Sequence, residues 1–366
     1  MGESLCILAV VYGGSREDPK RRRVTGVERE AEHKARRTPL AERAAERLEE
    51  AGWSFPAFDD AGALDGQPAQ EPSDQTLDVL ASLGGGQGSG RRVILLGSEK
   101  GGTGKSTTAM HLLVALLKFG YAVGSIDLDS RQGTLSRYLA NRRAYSERNG
   151  QIMPMPLHRR IERAGGATHA ARDAEERQRF VNALEVLSDC DFVVIDAPGS
   201  DSYLARLAHL HADVVVTPLN DSFVDVDVLA EIDLAKQAVL APGVYTKLIR
   251  RQNDHRAGMG RPPLRWVVLR NRLSHIHDRN KVEVADLLAV LAERFGFELT
   301  PGFGERVIFR ELFREGRTLL DSPDAASDDS ASPSHLSAYW EILTLLDAIG
   351  FFGETTAVAP KHPSVA

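Results

Sequence analysis

The stretch SEKGGTGKSTTAMH, residues 98–111, decides how the rest of the chain is read. It follows an apolar, strand-like run, RVILLG (92–97), and opens the helix-forming run STTAMHLLVALLKFG. Between a strand and a helix, Gly101, Gly102 and Gly104 let the backbone turn tightly, so that successive N–H groups converge on phosphate oxygens at the positive end of a helix starting near Lys105. In such a loop, which Thr103 completes, the Lys105 ammonium bridges the terminal phosphates. The Ser106 hydroxyl ligates Mg²⁺ and Thr107 contacts an inner phosphate. The pattern G-x-x-x-x-G-K-[ST] fails at one position, because Glu99 stands where its first glycine belongs and Lys100 follows as a second lysine at the mouth of the loop.

Outward from this loop the chain alternates apolar runs with helical patterns. YAVGSIDLD, DFVVIDAPG (191–199), ADVVVTPLND (212–221) and LRWVVLRNRL (264–273) read as strands, each followed by a helical stretch. β-Branched runs with intervening helices predict an α/β fold, a doubly wound and mostly parallel sheet with helices on both faces. Chemistry in such sheets gathers at the carboxyl ends of the strands. There the sequence places Asp127 and Asp129, on the same side of an extended chain, and Asp196 with Gly199 behind it. One carboxylate is suited to the metal shell and another to orienting an attacking water, although aspartates in such loops also cap turns. The pattern therefore predicts an enzyme that binds a nucleotide's phosphates with Mg²⁺ for phosphoryl transfer.

The 366 residues carry a net charge of -6 with 26% charged and 42% hydrophobic residues, an ordinary globular balance, so any basic surface is local. Two cysteines, Cys6 and Cys190, give neither metal spacing nor a disulfide framework, which suits a reducing cytoplasm. No run reaches the roughly 18 apolar residues of a membrane span. Residues 1–90 read as a variable leader ending in the flexible GGGQGSG, with one short helix in TPLAERAAERLEEAG, capped by Thr38 and stopped at Gly52. The nucleotide-binding domain is expected over 91–352, closed by the helix LSAYWEILTLLDAIGFF, with a tail over 353–366.

A lysine directly before the glycines, Lys100-Gly101-Gly102-Thr103-Gly104-Lys105-Ser106, resembles the deviant phosphate loop of the ParA/MinD group of P-loop ATPases. Within it, SEKGGTGKST, IDLDSRQGT, NRRAY, CDFVVIDAPGSDS, ADVVVTPLNDSFVDVDVL, WVVLRNRL and ERVIFRELFREGRTLLD resemble the MipZ family in that family's order. The resemblance implies that Lys100 crosses a homodimer interface to the partner's nucleotide, offsetting the repulsion between two facing ATP molecules. It also implies that Asp129 governs hydrolysis, that Asp196 joins Asp127 and Ser106 around the metal, and that adenine lies near Asn271 or Arg272. The implied partners are ParB, FtsZ and non-specific double-stranded DNA, with no membrane anchor and a nucleoid-associated, cytoplasmic location. A ParA-type chromosome or plasmid partition ATPase is the alternative. Ala197 and Ser200 depart from the threonine and second glycine that the family pattern leads one to expect. For DNA, Arg250, Arg251, Arg256, Arg261, Arg265, Arg270, Arg272, Arg279 and Lys281 form the basic segment, read either as a phosphate-binding patch or as a solvated loop.

Overall fold

A computed structural model of the chain describes residues 43–54, 91–166, 168–273, 279–304, 308–321 and 333–351. The glycine linker, Cys6, Thr38 and the C-terminal tail lie outside the described residues. A seven-stranded sheet runs in the order β3-β2-β4-β1-β5-β8-β9, and every pairing in it is parallel. Its strands are β1 (Arg92–Leu96), β2 (Val123–Asp127), β3 (Leu157–Arg160), β4 (Phe192–Asp196), β5 (Val214–Asn220), β8 (Arg265–Leu273) and β9 (Glu298–Gly304). Between β5 and β8, β6 (Ala230–Asp233) and β7 (Ala238–Pro242) form a separate antiparallel hairpin.

The helices are α1 (residues 43–50), α2 (Lys105–Lys118), α3 (Thr134–Asn149), α4 (His169–Val186), α5 (Tyr203–His211), α6 (Phe223–Val226), α7 (Val244–Gly258), α8 (Arg279–Phe295), α9 (Ile308–Glu315) and α10 (Pro333–Ala348). The doubly wound expectation holds because alternate strand residues serve two cores. Val93 and Leu95 of β1 face Leu184 of α4, Leu207 of α5 and Leu287 of α8. Ile94 and Leu96 face Met110 and Leu113 of α2, Tyr138 of α3 and Leu345 of α10. Helix α2 is buried continuously from Thr108 to Leu116, as befits a helix that is apolar all round and covered by neighbours. Each such leucine, removed from water, contributes about 1.5–3 kcal/mol.

Three elements differ from the sequence expectation. β3 (LHRR) and β9 (ELTPGFG) are the two edge strands of the sheet, and β5 is followed by the four-residue α6 and the hairpin instead of a long helix. Residues 43–54 also pack on the body: Ala44, Leu48 and Trp53 are buried in the same core as α8.

Candidate nucleotide site

Register fixes the site. Asp127 and Leu96 both pair with Asp196 across β4, so the carboxyl ends of β2, β4 and β1 lie level and side by side. The loop after β1 leaves through Gly97, whose N–H donates to Val216 O at 3.0 Å. It enters α2 through Gly104 at φ 95°, a left-handed conformation that glycine adopts without steric penalty. Among the described residues no side chain caps α2, and its first turn holds no acidic residue, so its first N–H groups and helix dipole are free to receive an anion. Gly101 and Gly102 are exposed at the mouth. Gly199 lies against them so closely that a Cβ there would sit 2.8 Å from Gly101 N.

Lys105 is buried, and its Nζ donates to Lys100 O at 2.7 Å, folding the ammonium back into its own loop. Burial lowers its pKa, and the charges of Asp196 and Asp129 pull it back up. Asp196 is 1% exposed, and neither carboxylate oxygen has a hydrogen-bond partner among the described residues. Burial pushes its carboxyl up to about 7, with the Ser106 hydroxyl and Lys105 acting in the opposite direction. A buried carboxylate without donors, beside a helix N-terminal hydroxyl, fits Mg²⁺. Among the described residues no three His, Cys, Asp or Glu side chains cluster into a metal cage.

The two aspartates of the β2 loop stand differently. Asp127 is fully buried, with Oδ1 accepting from Asp129 N at 3.0 Å and Oδ2 from Ser136 N and Ser136 Oγ at 2.9 and 2.7 Å. His158 Nε2 and Ser136 Oγ lie 2.9 Å apart, extending this network to β3. Asp129 is half-buried, and its Oδ1 accepts from Arg131 N and Gln132 N at 3.2 and 2.9 Å, an Asx-type turn, while its charge reaches Lys105. Asn271, at the end of β8, donates from Nδ2 to Thr103 O at 2.6 Å, and its Oδ1 accepts from Arg272 N. Its amide thus fastens the phosphate loop, while exposed Arg272 follows at φ 54°.

Lys100 Nζ makes a salt bridge with Asp225 Oδ1 and donates to Val224 O at 3.2 Å. Both partners belong to α6, whose N-cap Ser222 accepts from Asp225 N. Sequence reasoning missed Asp225, although Ser222-x-x-Asp225 is the spacing of a helix start. Glu99, beside Lys100, has its carboxyl raised by burial and by Asp201.

The basic segment is largely engaged by the protein itself. Arg256 is buried and donates to Pro262 O, Leu210 O and Ala212 O; Arg261 donates to Leu210 O. Arg265 pairs with Glu298 and Arg270 with Asp221, while Arg250 lies over the Phe295 ring. Elsewhere Arg131, Arg137, Arg143, Arg148, Arg159 and Arg163, spread over α3, β3 and the adjoining loops, are exposed. Among the described residues no helix is long and apolar enough to cross a membrane.

Comparison with known proteins places the chain's sequence in a family. The family profile described as ATPase MipZ matches residues 92–352. The septum site-determining protein MinD of Helicobacter pylori is 31% identical over 161 residues, 39% of this chain and 59% of that protein. The chromosome partitioning protein ParA of Myxococcus xanthus is 26% identical over 174 residues, 40% of this chain and 60% of that protein. The chain therefore matches less than two thirds of the length of either relative. An ATP complex of a Cyanothece McdA variant shares the fold at TM-score 0.50 and 17% identity, over 72% of this chain and 98% of that one. The chain belongs to the MipZ family, within the ParA/MinD group of P-loop ATPases.

Proposed function

We propose that this chain is an Mg²⁺-dependent ATPase that pairs with a second copy when ATP is bound, and that the pair positions the division site by opposing FtsZ assembly. The observation that carries the reading is the pair of lysines. Lys105 lies inside the loop with its ammonium among Lys100 O, Asp196 and Asp129. Lys100 instead points out of the loop to α6. On this reading Lys105 serves the phosphates of its own nucleotide, and Lys100, once it leaves α6, those of a neighbour's.

The N–H groups of residues 101–107 and the Lys105 ammonium would receive the phosphates, with Lys105 leaving its backbone acceptor as they arrive. Ser106 and Asp196 would hold Mg²⁺, which when bound neutralises phosphate charge. Asp127 serves from behind: by fixing Asp129 N and the start of α3, it sets the loop from which Asp129 orients the attacking water. Gly199 allows the loop after β4 to close on Gly101 near the terminal phosphate. Asn271 and Arg272 border the adenine end. Hydrolysis, by removing the phosphate that Lys100 bridges, would reset the monomer.

ParB and duplex DNA would set where the protein accumulates in the cytoplasm. The exposed arginines of α3 and the β3 edge are the surface favoured for DNA, and two copies in a dimer double the phosphates neutralised and steepen the salt dependence. The similarity to the M. xanthus chromosome partitioning protein ParA favours one alternative, a partition ATPase that has the same nucleotide chemistry and need not touch FtsZ. FtsZ assembly followed by light scattering separates the two. With ATP present, Asp129→Ala should suppress assembly and Lys100→Ala should not. Normal assembly with an Asp129→Ala dimer present would move the reading to partition.

A further inference from the structure

Residues 43–54 precede the family match, which begins at residue 92, yet they form a built element of the fold. Helix α1 ends in a tight glycine turn: Gly52, at φ 92°, donates to Glu49 O at 2.9 Å, and Trp53 N donates to Leu48 O at 2.8 Å. Beyond the turn, Ser54 pairs with the hairpin, donating to Gln237 O at 2.8 Å and accepting from Val239 N at 3.1 Å. Ala44 and Leu48 are buried among residues of α8 and the hairpin. On the flank, Arg47 Nε donates to Asp286 Oδ2 of α8 at 2.8 Å. The Trp53 ring stacks on Phe223 with centroids 5.9 Å apart and planes 14° from parallel.

Phe223 is the first residue of α6, and the next two residues are those that hold Lys100. The leader therefore braces one side of a four-residue helix whose other side retains the signature lysine. A helix this short has no stability of its own and keeps its position only through what packs on it. We propose that the surface formed by α6, α8 and β7 is a docking site for the leader segment 43–54, and that its occupation holds Lys100 on Asp225, restraining ATP-driven dimerisation in cis. Release of the leader frees α6 and lets Lys100 exchange Asp225 for the nucleotide of a second copy. Among the described residues the Trp53 indole N–H is buried without an acceptor. This inference rests on Lys100 acting across the dimer.

The test is sedimentation of the full chain across protein concentrations with Mg²⁺ and a non-hydrolysable ATP analogue. Trp53→Ala, and Arg47→Glu as a variant that reverses a flank charge without opening the core, should each lower the dimerisation midpoint about 3- to 10-fold. Asp225→Asn should do the same, and Trp53→Ala with Asp225→Asn should fall short of the product of the single effects, because both release the same contact. A midpoint in the Arg47→Glu and Trp53→Ala proteins equal to or above wild type would overturn the proposal. Lys100→Ala distinguishes the two failures. If it does not dimerise while the leader variants match wild type, only the leader proposal fails; if it dimerises normally, the reading of Lys100 fails with it.

Discussion

Replacing Asp196 with asparagine sets the requirement of the chemistry against that of the fold. Burial raises this carboxyl from 3.8 to about 7, so the unfolded chain ionises at a lower pH than the folded one. The resulting penalty on the folded state is absent below about pH 4, grows between about pH 4 and 7, and is constant above that. At full strength the rise corresponds to about 4 kcal/mol, of which about 1–2 kcal/mol is already present at about pH 5. Without Mg²⁺ and nucleotide, the wild-type chain should therefore lose about 2–3 kcal/mol from this group between about pH 5 and pH 9. Asp196→Asn should lack that loss and be about 2–4 kcal/mol more stable at about pH 9, while Mg²⁺-dependent ATP turnover falls by about 100-fold or more. Urea unfolding in EDTA at the two pH values, for both proteins, checks the stability; phosphate release checks the turnover. A variant as pH-dependent as wild type, or less stable at the higher pH, would refute the view of Asp196 as a destabilising group retained for a cation.

Two further substitutions probe the scaffold. Gly199→Ala places a Cβ 2.8 Å from Gly101 N and 2.9 Å from Gly101 Cα, both backbone atoms that cannot swing aside, so ATP affinity by calorimetry should fall at least about 10-fold; unchanged affinity would contradict this contact. Asp321 chelates the fully buried Arg142 through bonds of 2.7 and 2.9 Å and accepts from Thr318 N at 2.7 Å, joining α3 to the turn before α10. Against the upward push of burial, Arg142 and Thr318 hold the Asp321 carboxyl below its usual value. Its contribution is therefore present at neutral pH and lost as pH falls through that lowered value. Asp321→Asn should cost about 3–5 kcal/mol in urea unfolding at neutral pH, and a loss under about 1 kcal/mol would show the pair to be dispensable.

The central strands were legible because they are buried on both faces. VGSID and FVVID are buried at every residue, and a parallel strand covered by helices reads as an apolar run. The edge strands were not legible for the converse reason: LHRR of β3 is mostly exposed, and ELTPGFG of β9 carries a proline and two glycines, so neither shows an apolar period. The phosphate loop announced itself because glycine, lysine and hydroxyl must occur at fixed spacing for the backbone to wrap a phosphate. Asp127 and Asp129 were singled out by the same logic, but that Asp127 is held by the start of α3 depends on Ser136, nine residues after it. Arg256 looked like one more surface arginine; only the fold reveals that three backbone carbonyls surround it. The pairing of Lys100 with Asp225 joins residues 125 positions apart, beyond the reach of local patterning.

The most direct measurement is ATP binding and ATP-driven self-association for Lys100→Ala and Lys105→Ala, by analogue fluorescence and sedimentation on the same samples. Lys100→Ala should bind nucleotide within about 3-fold of wild type and stay monomeric, whereas Lys105→Ala should lose binding by about 100-fold or more. A Lys100→Ala protein that dimerises on ATP as wild type does would contradict the division of labour between the two lysines.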